Sequence, residues 1–141
     1  MKLDTTGWDP RIVEFYDYWF SLANGDVPDR VQFDPLAIPR LLRYTWMVDV
    51  EGPPYRFKFR LIGSRHDEVM EESLTGRYLD EVYDGPGVRD YELVGIDQEL
   101  SYRRGEAHFH VKRISEIERI MLPVTNKAKG HNIILGFTIY H

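Results

Sequence analysis

Apolar residues recur along this chain first with the spacing of a helix and then with the alternation of strands. Between 10 and 23, Ile12, Tyr16, Trp19, Phe20 and Ala23 fall on one helical face, and Phe15, Tyr18 and Leu22 form a second stripe beside it. Only Glu14 and Asp17 leave a narrow polar strip. Asp9 before Pro10 supplies a capping side chain and a residue suited to the first helical position, while Asn24-Gly25 supplies a left-handed stop. Trp8 and Val13 have the spacing of a hydrophobic staple. Asp34-Pro35 repeats the start signal, but Pro39 interrupts the segment it opens, so 35–42 is expected to hold one or two short turns.

A hairpin is predicted next, with strands at 45–50 and 56–62 around Glu51-Gly52-Pro53-Pro54. Its second strand alternates strictly: Phe57, Phe59 and Leu61 are expected to face the core, and Arg56, Lys58 and Arg60 the solvent. Residues 63–73 fit a short helix around 67–72, and 74–84 a loop in which Gly76 takes a positive φ. Pro86-Gly87 opens a helix predicted over 88–104, through Val88, Tyr91, Val94, Ile96, Leu100 and Tyr102, ending at Arg103-Arg104-Gly105. Three strands complete the pattern, at 108–114, 116–124 and 132–140, with a turn at 126–130. In the strand at 116–124, Ile117 and Met121 compete with Ile120, Leu122 and Val124 for the inner side.

The run from Tyr55 to Tyr78 carries Phe57, Phe59 and Leu61 into Ile62-Gly63-Ser64 and then Leu74-Thr75-Gly76-Arg77. Together with Glu118-Arg119-Ile120-Met121-Leu122-Pro123-Val124 and Ile134-Leu135-Gly136, it resembles the bacterial single-domain PAS family, long described as a domain of unknown function. The resemblance spans roughly residues 12–139. It implies an α+β fold: a PAS-like five-stranded antiparallel sheet with helices on one face. Residues 1–43 would be an N-terminal helical extension and 44–141 the PAS-like domain, together one folding unit. The implied function is a cytoplasmic sensory or regulatory module, binding a small molecule or a protein partner and carrying no output domain of its own. The competing reading is an interaction scaffold whose core is filled by its own side chains.

Composition narrows this further. The chain has 141 residues, 43% hydrophobic and 29% charged, which is enough to build one sizeable core. A net charge of −5 lacks the basic footprint of a nucleic-acid binder, and neither a signal peptide nor a membrane span is legible. The absence of cysteine removes disulfides, thiolate catalysis and thiolate metal sites. It also removes the cysteine adducts by which some PAS relatives hold flavin or a coumaroyl group. Haem is not expected, because 88–104 holds no histidine. Non-covalent flavin, a fatty acid or another small carboxylic acid stays open, and the cofactor is unassigned.

In a PAS fold the ligand lies between the sheet and the helices, which nominates Phe57, Phe59, Met70, Tyr78, Tyr91, Phe109, Met121 and Phe137 as pocket residues. Homodimerisation or a signalling partner is expected through Phe15, Tyr18, Trp19 and Leu22 of the first helix. Arg60, which precedes the Leu-x-Gly step, is the candidate for a partner or ligand carboxylate. His108 and His110 point the same way from one strand but lack a third ligand, so no metal is assigned. Nucleophile–base pairs, phosphate-cradling loops and metal spacings are absent, and the chain is not read as an enzyme. A small acid–base isomerase using one buried Asp and a Tyr is the weaker alternative.

Overall fold

The computed structural model describes residues 2–83, 85, 87–106 and 114–141. Helix α1 (Pro10–Ala23) starts where the cap signals place it: the Asp9 side chain accepts the Arg11 N–H at 2.8 Å, and Asn24 closes the helix at φ 45°. A connector of short 3-10 turns follows at Arg30–Gln32, Pro35–Ala37 and Pro39–Tyr44. Asp29 and Asp34 cap the first two by accepting the N–H groups of Val31 and Leu36. Then come β1 (Thr45–Glu51), β2 (Arg56–Ile62), α2 (Ser64–Met70), α3 (Leu79–Val82), α4 (Val88–Gly95), β3 (Ser101–Glu106), β4 (Glu116–Asn126) and β5 (His131–Tyr140). The strands form one antiparallel sheet in the order β2-β1-β5-β4-β3. Among the described residues, no helix is long and apolar enough to cross a membrane.

Both faces of this sheet are buried. On one, Ile12, Phe15 and Tyr16 of α1 and Ile38 and Leu41 of the connector pack against Met47, Ile120, Leu122, Val124, Leu135 and Phe137. On the other, Leu79 of α3 and Val94 of α4 pack against Trp46, Val48, Phe57, Phe59, Met121 and Ile134. The competing residues of β4 are therefore divided between the faces: Ile120, Leu122 and Val124 enter the first core and Met121 the second, with Ile117 half-buried on the side of Met121. A strand buried on both sides reads as a continuous apolar run, because every position is rewarded for being hydrophobic.

The sequence expectation fails at three places. The helix predicted over 88–104 ends at Gly95; Gln98 takes φ 58°, and 101–106 is instead the edge strand β3, paired with β4 from Ser101–Met121 to Glu106–Glu116. Local propensity there is overridden by the ladder bonds that β4 offers. The short helix α2 occupies 64–70 in place of 67–72, and Glu71 stops it at φ 59°. Leu61 does not join Phe57 and Phe59 at the core. Met47 pairs with Leu61 but Val48 pairs with Phe59, so Arg60 is an extra residue on β2. A bulge reverses the alternation beyond it, which leaves Leu61 45% exposed and turns Ile62 inward. The strand predicted at 108–114 lies almost wholly outside the described residues.

One glycine is demanded by packing. Gly136 sits opposite Trp46 in the β1–β5 ladder, and the indole occupies the space that a Cβ would need. The indole N–H then reaches the Thr138 hydroxyl at 3.0 Å.

Candidate functional site

Between the sheet and the helical arm α2–α4 lies a cavity of about 220 Å³, partly open to solvent. The sheet supplies its floor in rows: Phe59 and Ile62 from β2, Trp46 from β1, Thr138 and Tyr140 from β5, Ile117 and Arg119 from β4. The pleat places them there, since Ile117 pairs with Tyr140 and Arg119 with Thr138 across one face. The arm supplies the roof, with His66, Asp67 and Met70 from α2, Leu79 and Val82 from α3, and Tyr91 from α4. Residues 74–78 fasten this arm to the edge of β2: the Phe59 N–H donates to the Arg77 carbonyl at 2.9 Å and the Gly76 N–H to the Phe59 carbonyl at 2.6 Å. Gly76 takes φ +88° there, as its turn position predicts.

The polar groups at the cavity are mostly committed. The buried His66 donates from Nε2–H to the Tyr44 carbonyl at 2.9 Å, which leaves Nδ1 to accept the Tyr140 hydroxyl at 2.5 Å. Burial lowers the His66 pKa from its ordinary 6.5, so the ring is neutral at neutral pH. Burial also raises the Tyr140 pKa and pushes Tyr91 up to about 12, keeping both hydroxyls protonated. Arg119 donates to Asp90 at 2.6 Å and to the Ser101 hydroxyl at 3.3 Å. Arg103, directly opposite Arg119 on β3, binds the same Asp90. Two like charges facing each other across a ladder repel, and the buried Asp90 offsets this. Burial works against ionisation of Asp90, yet the two guanidinium groups hold its pKa below the usual carboxylate value. Asp67 differs from these: its Oδ1 is buried and accepts no hydrogen bond.

Of the pocket residues expected from sequence, the cavity gathers Phe59, Met70 and Tyr91. Phe57 and Met121 belong to the core on the same face without lining the cavity. Phe137 is on the opposite face, stacked on Phe15 with centroids 4.6 Å apart, because its β5 parity sends it toward α1. Tyr78 lies outside, its hydroxyl donating to Glu51 at 2.6 Å and its ring under the Arg56 guanidinium. Phe109, like His108 and His110, lies outside the described residues. Trp46, His66, Arg119, Thr138 and Tyr140 were missed. Arg119 carried a legible signal: it shares the parity of Ile117 and Met121, a charge set into an apolar strand.

The residues nominated for an interface are engaged within the chain. Phe15 is fully buried, Trp19 donates its indole N–H to the Pro123 carbonyl at 3.0 Å, and Tyr18 packs on Phe33 and accepts the Asp34 N–H. Leu22 is half-buried, and Arg60 reaches Asp49 at 3.4 Å. At the edge of the α1 face, Asp9, Glu118 and His141 bring their ligand-type atoms within 4.8 Å of one another. The fully buried Glu118 already accepts the Asp9 N–H and the Tyr102 hydroxyl, and Asp9 is held by Arg11. Trp8 stacks on Tyr102 at 4.0 Å, so this cluster ties the entry of α1 to β3 and β4.

The sheet order, the helical arm between β2 and β3 and the cavity beneath it define the class of the domain, an α+β fold with its helices packed over an antiparallel sheet. The chain belongs to the PAS domain family, whose model matches residues 9–139 and so takes in α1 as well as the sheet. Domains of this family are sensory and regulatory modules in general, and most have no catalytic activity. No curated protein matches the chain.

Proposed function

We propose that this protein is a sensory module that reports the presence of a small molecule in the cavity beneath α2–α4. The observation that carries this reading is the cavity itself: about 220 Å³, walled by aromatic and aliphatic side chains, with a few polar groups at separate points. A ligand that prefers one arrangement of the arm shifts the population by its difference in affinity for the two arrangements. Strand β5 offers the route outward. Gly136 and Thr138 seat Trp46 at the cavity, while Phe137 between them seats Phe15 of α1 on the opposite face. Binding is favoured over catalysis because both His66 nitrogens are spent on structural hydrogen bonds.

We read the output as association with a second copy. Val31 and Leu36, 81% and 83% exposed on the connector beside α1, are the most exposed large apolar side chains among the described residues and would carry it. The test is to purify the chain from its native host, denature it and identify any stoichiometric small molecule by mass spectrometry. A released molecule that raises the melting temperature when added back supports the reading. A folded, empty protein that no host metabolite extract stabilises would sink it. Light scattering on Val31→Glu/Leu36→Glu checks the output, where an unchanged mass excludes this surface.

A further inference from the structure

Size, wall chemistry and charge at the cavity together narrow its ligand. A dry cavity of about 150 Å³ accepts one benzene ring, and drug-sized ligands need about 300 Å³ or more. At about 220 Å³, this one fits a single ring with one or two substituents, and neither a tetrapyrrole nor a three-ring flavin. Its walls suit a ring: Trp46 lies 5.9 Å from Tyr91 and 6.5 Å from Phe59, centroid to centroid, both tilted.

The β4 wall and the α2 wall of the cavity differ in charge. On the β4 side, Arg103 and Arg119 share the single carboxylate of Asp90, which leaves a net positive charge. Arg119 itself lines the cavity and is only 12% exposed, and its guanidinium has more N–H donors than the bonds to Asp90 and Ser101 use. That group calls for a carboxylate, with which a guanidinium forms its strongest hydrogen bonds. On the α2 side, Asp67 and Glu72 line the wall and repel a second anion. The Asp67 Oδ1 is buried without a donor, and a buried acceptor of this kind is stabilised by an O–H or N–H. His66 beside it cannot provide one, since its N–H is given to Tyr44.

We infer that the ligand is a small single-ring carboxylic acid, bound by its carboxylate to Arg119, with a hydroxyl or amino donor on its far end directed at Asp67. This inference rests on the sensory reading of the same cavity and specifies its ligand class. An ordinary dicarboxylate is disfavoured by Asp67 and Glu72, and a purely cationic amine by Arg119.

Isothermal titration calorimetry on the whole chain with 4-hydroxybenzoate, benzoate, 4-hydroxybenzamide and phenol tests it. The expected order puts 4-hydroxybenzoate about tenfold or more ahead of both benzoate and the neutral amide, the difference one charge-assisted hydrogen bond supplies. Arg119→Gln should erase the preference for the acid over the amide while keeping the amide's affinity. Asp67→Ala should erase the preference for the hydroxylated acid over benzoate. The comparison within the wild-type chain stands even where a variant fails to fold. If acid and amide bind equally well, the ligand class is wrong and the cavity reading survives, because rings still bind. If none of the four binds at millimolar concentration, the cavity reading falls and takes the ligand class with it.

Discussion

Replacing Gly136 by Ala tests the seat of Trp46, the residue on which the cavity floor depends. A Cβ at this position would stand 2.0 Å from Cε2, 2.3 Å from Cζ2 and 2.4 Å from Cδ2 of the indole. Carbon atoms settle about 3.5 Å apart or more. The ring would therefore have to rise by about 1.5 Å into the cavity, where it is 5% exposed between Phe59 and Tyr91. Forced overpacking of a core costs about 1–3 kcal/mol, and loss of the bond from the indole N–H to Thr138 about 1 kcal/mol more. The sum is about 2–4 kcal/mol, or a fall in Tm of about 8–16 °C for a domain of this length. Urea denaturation followed by far-UV circular dichroism measures it. The mechanism requires that the cost depend on the indole. In a Trp46→Leu background, Gly136→Ala should cost less than about 1 kcal/mol, since Ala is then an ordinary strand residue. An equal cost in both backgrounds, or a change below about 0.5 kcal/mol in the wild type, would refute the reasoning.

Further expectations are cheaper to check. Phe15→Ala removes a fully buried ring stacked on Phe137 and should cost about 3–5 kcal/mol in urea denaturation; a loss under about 1 kcal/mol would show that α1 does not pack as described. Phe59→Ala should cost a similar amount, whereas Leu61→Ser should stay within about 0.5 kcal/mol, and comparable losses would contradict the bulge at Arg60. The His66 pKa is lowered on folding, chiefly by burial, so the unfolded chain binds the proton more readily. Its contribution to stability is complete above about pH 6.5 and declines as the pH falls below that value. The wild-type Tm should accordingly drop between about pH 8 and pH 5.5 by more than that of His66→Asn. Parallel profiles would mean that His66 is not buried neutral.

The legible parts of the fold were those whose signals are local. Asp9-Pro10 and Asn24-Gly25 mark both ends of α1, and Gly52-Pro53-Pro54 separates two strands that pair as a hairpin. The failures depended on partners far along the chain. Residues 101–106 can be helical by propensity, and only the ladder offered by β4 decides otherwise. The bulge at Arg60 is equally silent, because it exists only in the register between β1 and β2. Site residues divide in the same way. Phe59, Met70 and Tyr91 line the cavity from the elements that the sequence assigns to them, but Phe137 lies on the opposite face, since β5 is apolar on both sides and its parity has no marker.

The same two-sided burial accounts for the double stripe of α1. A helix apolar over most of its circumference needs two surfaces to cover it, and a second subunit is one way to supply the second. Within this chain the sheet covers Ile12, Phe15 and Tyr16, while the connector covers part of the other stripe. Tyr18 packs against Phe33 and accepts the Asp34 N–H, and Gln32 donates to the Leu22 carbonyl at 3.2 Å. The connector has no hydrophobic period of its own, being built from capped 3-10 turns whose Val31 and Leu36 point outward. Sequence periodicity therefore exposes the demand of α1 for a second surface and hides the element that meets it. The most exposed large apolar side chains of this region accordingly lie on the connector, at Val31 and Leu36, and not on the helix.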